Sequence, residues 1–383
     1  MGHDLGGRSG PVPRVVQPPG SLRVPAQPVD PASLGSRRGS GQLRRSQRRL
    51  LRLLVVAAGL AVVVWTVHSL DPKRVWTAAA GADPFWLAVS AIPIALRFAI
   101  WGVKWTNMLA RHETVPLGLV TRFIAAGSFV NLTTPTAKLA GGVVRALLLN
   151  KHRGWRMSVA YGWAFADQVT NLLGHVLLFG IGSLAFSLHP AAGAWKPALA
   201  SVGVLTLLGL ALGVWIRRPV WAWIQRPALA DKLGRFVPER FVGKEGFTPD
   251  LLRRIFGPLF DDGASWKAFV PDVLLGALAF MTLPVANAMV LRSLGVDAPL
   301  LVITVVVILG YLAGNLLGPW GGIGVTEAAL AALGAQFGVP AEAAAAGALL
   351  HRAVFYAVVL SCGGGSLWVE RRALTNMGPT SGP

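Results

Sequence analysis

Two short polar segments interrupt otherwise apolar sequence, and they carry the residues best suited to chemistry. The first reads Asn131-Leu-Thr-Thr-Pro135-Thr-Ala-Lys138-Leu-Ala-Gly141-Gly142-Val-Val-Arg145. The second reads Asn315-Leu-Leu-Gly-Pro319-Trp-Gly321-Gly322-Ile-Gly324-Val-Thr-Glu327. Each runs from Asn-Leu-x-x-Pro through a Gly-Gly pair to an ionisable residue, a cation in one copy and an anion in the other. Non-helical polar backbone at membrane depth survives only when buried in protein or lining a wet cavity. A pair of such breaks in corresponding halves of a chain points to a transporter-like binding site.

Arg145 offers a planar fork matched to phosphate oxygens, and a lipid headgroup is the anion at hand in a bilayer. A charge at mid-membrane is functional by default; the competing reading is an arginine snorkelling to the headgroup region from a shallow hairpin. Glu327 stands where a helix opens. It either caps that helix and compensates its dipole, or pairs with Arg145 across the repeats as a gate that answers to pH. Gly141, Gly142, Gly321, Gly322 and Gly324 allow close backbone approach. They serve either a phosphate cradle at the following helix starts or tight packing alone. Asn131 and Asn315 are placed to satisfy backbone groups freed by Pro135 and Pro319.

Further cations surround the first segment. Arg97 and Lys104 are seven residues apart and so share a helical face. Arg97 reads as a cavity residue, Lys104 and Lys138 as snorkelling ones, and Asp167 as an acid able to neutralise one cation. His351-Arg352 lies inside the last apolar stretch, where Arg352 needs an acidic partner or a lipid phosphate. His175 reads as a helix-contact residue. The candidate substrate site is therefore Arg97, Asn131, Pro135, Gly141, Gly142, Arg145, Asn315, Pro319, Gly321, Gly322, Gly324, Glu327 and Arg352, with no catalytic or metal-binding set and no cofactor.

The elements that must position these residues follow from composition. The 383 residues are 53% hydrophobic and 14% charged, with mean hydropathy +0.55; soluble domains carry nearer a quarter charged residues. Several stretches reach the roughly 20 apolar residues that span a bilayer. The net charge of +19 is explained by basic segments flanking spans on one side, so nucleic acid is not an expected partner. One cysteine, Cys362, excludes an internal disulfide.

Apolar spans are read at 50–70, 85–108, 157–188, 196–216, 269–291, 300–317 and 341–369, with a short alanine-rich helix at 328–338. Residues 117–149 read as a helical hairpin dipping in from the cytoplasm, or as two short tilted crossings. Residues 1–49, rich in Pro, Gly, Ser and Arg, read as a disordered basic cytoplasmic tail. The Arg44-Arg45 run is twin-arginine-like, but the long apolar stretch after it favours a retained signal anchor. Residues 217–266 form a basic loop with short amphipathic pieces at the interface. The loop divides halves at about 50–216 and 267–370, and residues 371–383 form a short tail. The fold class is thus all-α: a polytopic membrane protein of about seven or eight transmembrane helices, with two broken or re-entrant segments in two related halves. The glycines Gly310, Gly314 and Gly318 form a stripe that admits a close helix neighbour.

The run Gly318-Pro319-Trp320-Gly321-Gly322-Ile323-Gly324-Val325-Thr326-Glu327, with Gly338-Val339-Pro340 and Leu350-His351-Arg352, resembles the C-terminal signature of a flippase-like membrane family. That family includes the transmembrane region of lysylphosphatidylglycerol synthases, the multiple peptide resistance factors. Asn131 to Pro135 with Gly141 to Arg145 resembles its first signature, and the likeness spans roughly residues 50–370. This chain has Gly142 and Val143 where the family commonly has an acid. It has Asp167-Gln168 where the family often has Glu-Arg. The bifunctional members carry a soluble aminoacyltransferase domain after the membrane region; this chain ends at Pro383, so lysyl transfer is not expected.

The resemblance implies lipid translocation. Aminoacylated phosphatidylglycerol is the best-known substrate class, and stand-alone members extend to other lipids, including polyprenyl-linked sugars. The expectation is a non-enzymatic flippase of the cell membrane with a cytoplasmic N-terminus. Membrane lipids are its partners, and a second copy or a lipid-modifying enzyme is a candidate protein partner. The rivals are a membrane-embedded transferase acting on lipid-linked sugars, with Asp167 and Glu327 as its available acids, and a non-transporting scaffold.

Overall fold

A computed structural model describes residues 72–134, 139–226, 248–261, 266–317, 322 and 324–375. The basic segment 1–49, the first apolar stretch 50–70, Pro135, Lys138, Pro319 and Gly321 lie outside the described residues, as does the side chain of Asn315. Every regular element among the described residues is helical, as an apolar chain in lipid requires: a helix satisfies its own backbone hydrogen bonds.

The helices are α1 (Pro72–Ala80), α2 (Pro84–Val89), α3 (Ala91–Leu109), α4 (Leu117–Thr133), α5 (Leu139–Arg153), α6 (Met157–Ser187), α7 (Lys196–Trp215), α8 (Arg217–Ile224), α9 (Pro249–Phe260), α10 (Trp266–Ser293), α11 (Leu300–Leu317), α12 (Val325–Gln336) and α13 (Ala341–Thr375). Five stretches are long and apolar enough to cross a membrane: Pro84–Leu109, Met157–Ser187, Pro190–Trp215, Lys267–Ser293 and Ala341–Arg371. They correspond to five of the spans read from sequence. The chain is a polytopic all-helical membrane protein.

Local signals set the helix ends. Asp83 accepts a hydrogen bond from the Phe85 N–H at 2.8 Å, ahead of Pro84 in the first helical position of α2. Thr248 does the same for Leu251 in α9, at 3.2 Å. The long helices are held together by packing. Two apolar clusters form the interior, one around Trp105, Phe123, Ile124 and Leu148, the other around Phe280, Leu283, Val305 and Ile308. The sequence halves interleave, because α10 packs along both α3 and α6, and α13 along α4.

Hydrogen bonds and ion pairs fix which helix ends share a face. Arg153, closing α5, bonds Glu113 and the Thr114 carbonyl just before α4. Glu370, late in α13, meets His152 of α5 at 2.6 Å and Arg122 of α4 at 3.3 Å. Arg111, after α3, reaches Asp272 near the start of α10 at 2.6 Å. These ends form one strongly basic face. The opposite face joins Asp83 to Ser293 by a backbone bond of 2.8 Å and Arg74 to Glu342 at 3.8 Å.

The first broken segment is therefore a hairpin. Helix α4 starts, and α5 ends, on the basic face. With 17 and 15 residues at about 1.5 Å each, neither arm spans a hydrocarbon core of about 30 Å. The second segment is a hairpin of the opposite sense. Helix α11 starts on the other face, and α12, of 12 residues, returns there, since Val339 just beyond it packs beside Leu291 and Val302. Helix α13 can then run back and end on the basic face. In the predicted 217–266 loop, α8 and α9 pack on each other through Trp221 stacked on Phe260, and α9 lies against Gly162 of α6. Phe236, Phe241 and Phe247 lie outside the described residues.

Candidate functional site

The first hairpin and the helices around it line one cavity of about 280 Å³. Helix α3 contributes Arg97, Phe98 and Trp101; α4 contributes Gly127, Ser128 and Asn131; α5 contributes Arg145. Helix α6 adds Gln168, Asn171 and His175, α10 adds Ala279 and Phe280, α11 adds Tyr311, and α13 adds Arg352, Phe355 and Val359. Apolar walls with a few convergent polar groups are the usual make-up of a small-ligand site.

Arg145 is only 3% exposed and its guanidinium bonds Asp167 at 2.5 Å. It also reaches the Ala164 carbonyl at 3.3 Å and lies 4.8 Å over the Trp105 ring. Asp167 is fully buried and accepts four donors: Arg145, the Lys104 ammonium at 2.9 Å, the Trp101 indole N–H at 2.8 Å, and the Asn171 amide at 3.4 Å. Four donors fill the lone-pair positions a carboxylate has. Lys104 completes its own set with the Asp167 carbonyl at 3.0 Å and Asn171 Oδ1 at 2.9 Å. Sequence reading sent Lys104 to the headgroup region by snorkelling. It is instead 0% exposed, because a buried carboxylate within reach repays its desolvation better than the interface would.

The second cluster is built by α12 and α13. Gly322 and Gly324 adopt φ of +84° and +87°, a region that residues with a Cβ avoid. This turns the chain sharply into α12. Glu327 Oε2 then accepts the Gly324 N–H at 2.7 Å and caps the helix, while Oε1 accepts the Arg352 Nε at 2.7 Å. Arg352 also donates to the Tyr356 hydroxyl at 2.6 Å. The cap reading of Glu327 holds, and the expected pairing with Arg145 does not. Its partner is Arg352: Asp167 already claims Arg145 from the next helix.

Arg97 differs from the other cavity arginines. It makes no hydrogen bond or ion pair with any described residue, its Nε is buried without a partner, and its guanidinium stands 5.5 Å from the Trp101 ring centre. Lys104 and Arg145 share one carboxylate, Arg352 has one of its own, and Arg97 has none. Among the described residues the site therefore carries an excess of two cations.

Of the residues singled out from sequence, Arg97, Asn131, Arg145 and Arg352 meet at the cavity. Asn131 Oδ1 accepts the Gly141 N–H at 2.7 Å, across the hairpin break, which is the backbone role expected of it. The glycines lie where helices touch. A Cβ on Gly141 would stand 2.3 Å from the Gly127 carbonyl, and one on Gly142 would stand 2.6 Å from Gln168. The Gly310 and Gly314 stripe packs on Leu330 and Thr326 of α12. Glu327 supports the site from behind Arg352. His175 packs at 3.9 Å on the Phe280 ring and also lines the cavity. Sequence reading missed Trp101, Asn171, Tyr311 and Tyr356. The periodicity of Trp101 with Arg97 and Lys104 on α3, at near-helical spacings, was the available signal.

Comparison with known proteins fits this arrangement. The family described as lysylphosphatidylglycerol synthase TM region matches residues 49–363. A UPF0104 membrane protein of Methanothermobacter thermautotrophicus is 22% identical over 326 residues, covering 81% of this chain and 93% of that protein. With that match spanning most of its length, the chain belongs to the lysylphosphatidylglycerol synthase TM-region family.

Proposed function

We propose that this protein moves a phosphate-bearing lipid headgroup between leaflets while the acyl chains stay in the bilayer. The observation that carries this reading is the excess of cationic groups around one cavity lined by α3, the first hairpin, α6, α10, α11 and α13. Arg97, Arg145 and Arg352 converge on it from α3, α5 and α13. Guanidinium groups match phosphate oxygens, and a buried charge excess of this kind needs an anion. Hairpins that stop short of the opposite face give a site that one or the other leaflet can reach by a small rearrangement, as in alternating access.

The two acids that an enzymatic reading would need are Asp167 and Glu327. Both are engaged as ion-pair partners, which supports transport over lipid-sugar transfer. The basic face formed by Arg111, Arg122, Arg153 and Arg371 is assigned to the cytoplasm of a cell membrane by the positive-inside rule, with the N-terminus on the same side.

The test is headgroup movement in proteoliposomes, read by dithionite quenching of fluorescent phospholipid. Arg145→Ala leaves Asp167 paired with Lys104, so the fold is expected to persist while movement is lost. Undiminished movement in a folded Arg145→Ala protein would remove Arg145 from the site.

A further inference from the structure

We infer that the headgroup held in this cavity is a phosphate ester without an ammonium group, an anionic lipid rather than an aminoacylated or zwitterionic one. This rests on the translocase reading and narrows it.

An ammonium group is neutralised, and not merely solvated, only by a carboxylate with free lone pairs, and an open aromatic face is its next-best partner. The described residues lining the cavity include neither Asp nor Glu. Asp167 sits behind the wall with its four acceptor positions filled, and Glu327 is divided between Arg352 and the Gly324 N–H. The hairpin residues outside the described set, 135–138 and 318–321, contain no acidic side chain either.

The faces of Trp101, Tyr311 and Phe355 are also taken. Arg97 and Arg145 stand 5.5 and 5.4 Å from the Trp101 ring, and Arg352 stands 5.6 and 5.5 Å from Tyr311 and Phe355. A headgroup ammonium would enter among guanidiniums that repel it. Arg97, with no counter-charge among the described residues, is the group whose partner the ligand would supply.

The experiment uses the full-length protein in detergent. Binding of short-chain phosphatidylglycerol, phosphatidylethanolamine and lysyl-phosphatidylglycerol is measured by native mass spectrometry, with inorganic phosphate as competitor. Phosphatidylglycerol is expected to bind at least about tenfold more tightly than the two amine-bearing lipids, the equivalent of one charge-assisted hydrogen bond. Equal or tighter binding of either amine-bearing lipid overturns the inference. Inorganic phosphate that binds as tightly as phosphatidylglycerol overturns it too, since the ligand is then the free ion.

Arg97→Gln breaks no ion pair. It is expected to weaken phosphatidylglycerol about tenfold and to leave phosphatidylethanolamine unchanged. Arg292→Gln serves as a surface control, because Arg292 is exposed and rests on the Trp86 ring. It should not alter the affinity, and an equal loss there would mean surface charge alone, against the proposal. Dithionite assays of the same lipids in phosphatidylcholine vesicles separate the two readings. Selective binding without movement sustains the headgroup class and defeats translocation; movement of lysyl-phosphatidylglycerol as fast as phosphatidylglycerol does the reverse.

Discussion

The two hairpins are built alike and charged oppositely. In the first, the second arm carries the cation, Arg145, and the next helix carries its acid, Asp167. In the second, the second arm carries the acid, Glu327, and the next helix carries the cation, Arg352. Each hairpin is thus tied to the long helix that follows it by one buried ion pair at the cavity edge. The difference lies in what surrounds the pair. Asp167 holds two cations at once, whereas Glu327 holds one cation and one backbone N–H. The first hairpin consequently leaves positive charge over, and the second is balanced. On the translocase reading, the first hairpin together with Arg97 would set the ligand's charge, while the second hairpin is a helix-capped anchor.

The sharpest way to break this comparison is to remove each acid. Asp167→Asn strands Lys104 and Arg145 together in the interior, and a loss of about 3–5 kcal/mol is expected. Glu327→Gln strands only Arg352, which keeps Tyr356, and the expected loss is smaller, about 2–3 kcal/mol. Unfolding of the two variants in matched detergent measures both. The asymmetry fails if Glu327→Gln is the more damaging. Adding Lys104→Met to Asp167→Asn should recover part of the stability, because one stranded charge is gone.

Glycine substitutions sharpen the comparison at smaller cost. On Gly141 a Cβ meets the backbone carbonyl of Gly127 at 2.3 Å, and backbone cannot turn aside. On Gly314 it meets the Thr326 hydroxyl at 1.9 Å, which is a side chain that can rotate away. Both variants to Ala fall in the overpacking range of about 1–3 kcal/mol, with Gly141→Ala nearer the upper end. Gly118→Ala in α4 meets nothing within 4 Å and should gain about 0.5–1 kcal/mol in helix propensity. Thermal unfolding that ranks Gly314→Ala above Gly141→Ala in damage would mean that α11 and α12 form the more rigid contact.

The smallest effect concerns the mouth of the first hairpin. The Trp155 indole N–H, 2.5 Å from Glu113, and the Arg153 guanidinium hold the Glu113 carboxyl below its ordinary value. A depressed folded-state value means that this contribution is complete above the ordinary glutamate value of about 4.3. It is lost as pH falls through the folded-state value. Glu113→Gln should therefore lower the melting temperature slightly through the neutral region, with the difference from the parent protein closing as pH falls through the folded-state value. A parallel downward shift at every pH would assign Glu113 a packing role instead.

Composition and spacing alone determined a great deal. Apolar runs of membrane length, punctuated by proline, glycine and charge, established a polytopic helical protein, its long spans and both breaks. They did so because a bilayer forbids unsatisfied backbone and restricts apolar stretches to helices of a set length. The spacing of Arg97 and Lys104 placed both on one side of α3, since helical periodicity is a property of a single segment. Tertiary structure decided the rest. Periodicity cannot say which helix a face meets, so the partner of Arg145 was legible only as some acid, and Asp167 prevailed over Glu327 through packing of α5 on α6. The fate of Lys104 turned on the same neighbour. The cavity and its charge excess exist only because α3, α5 and α13, distant in sequence, converge there. A charge balance among helices is a property of their arrangement, and no single segment carries it.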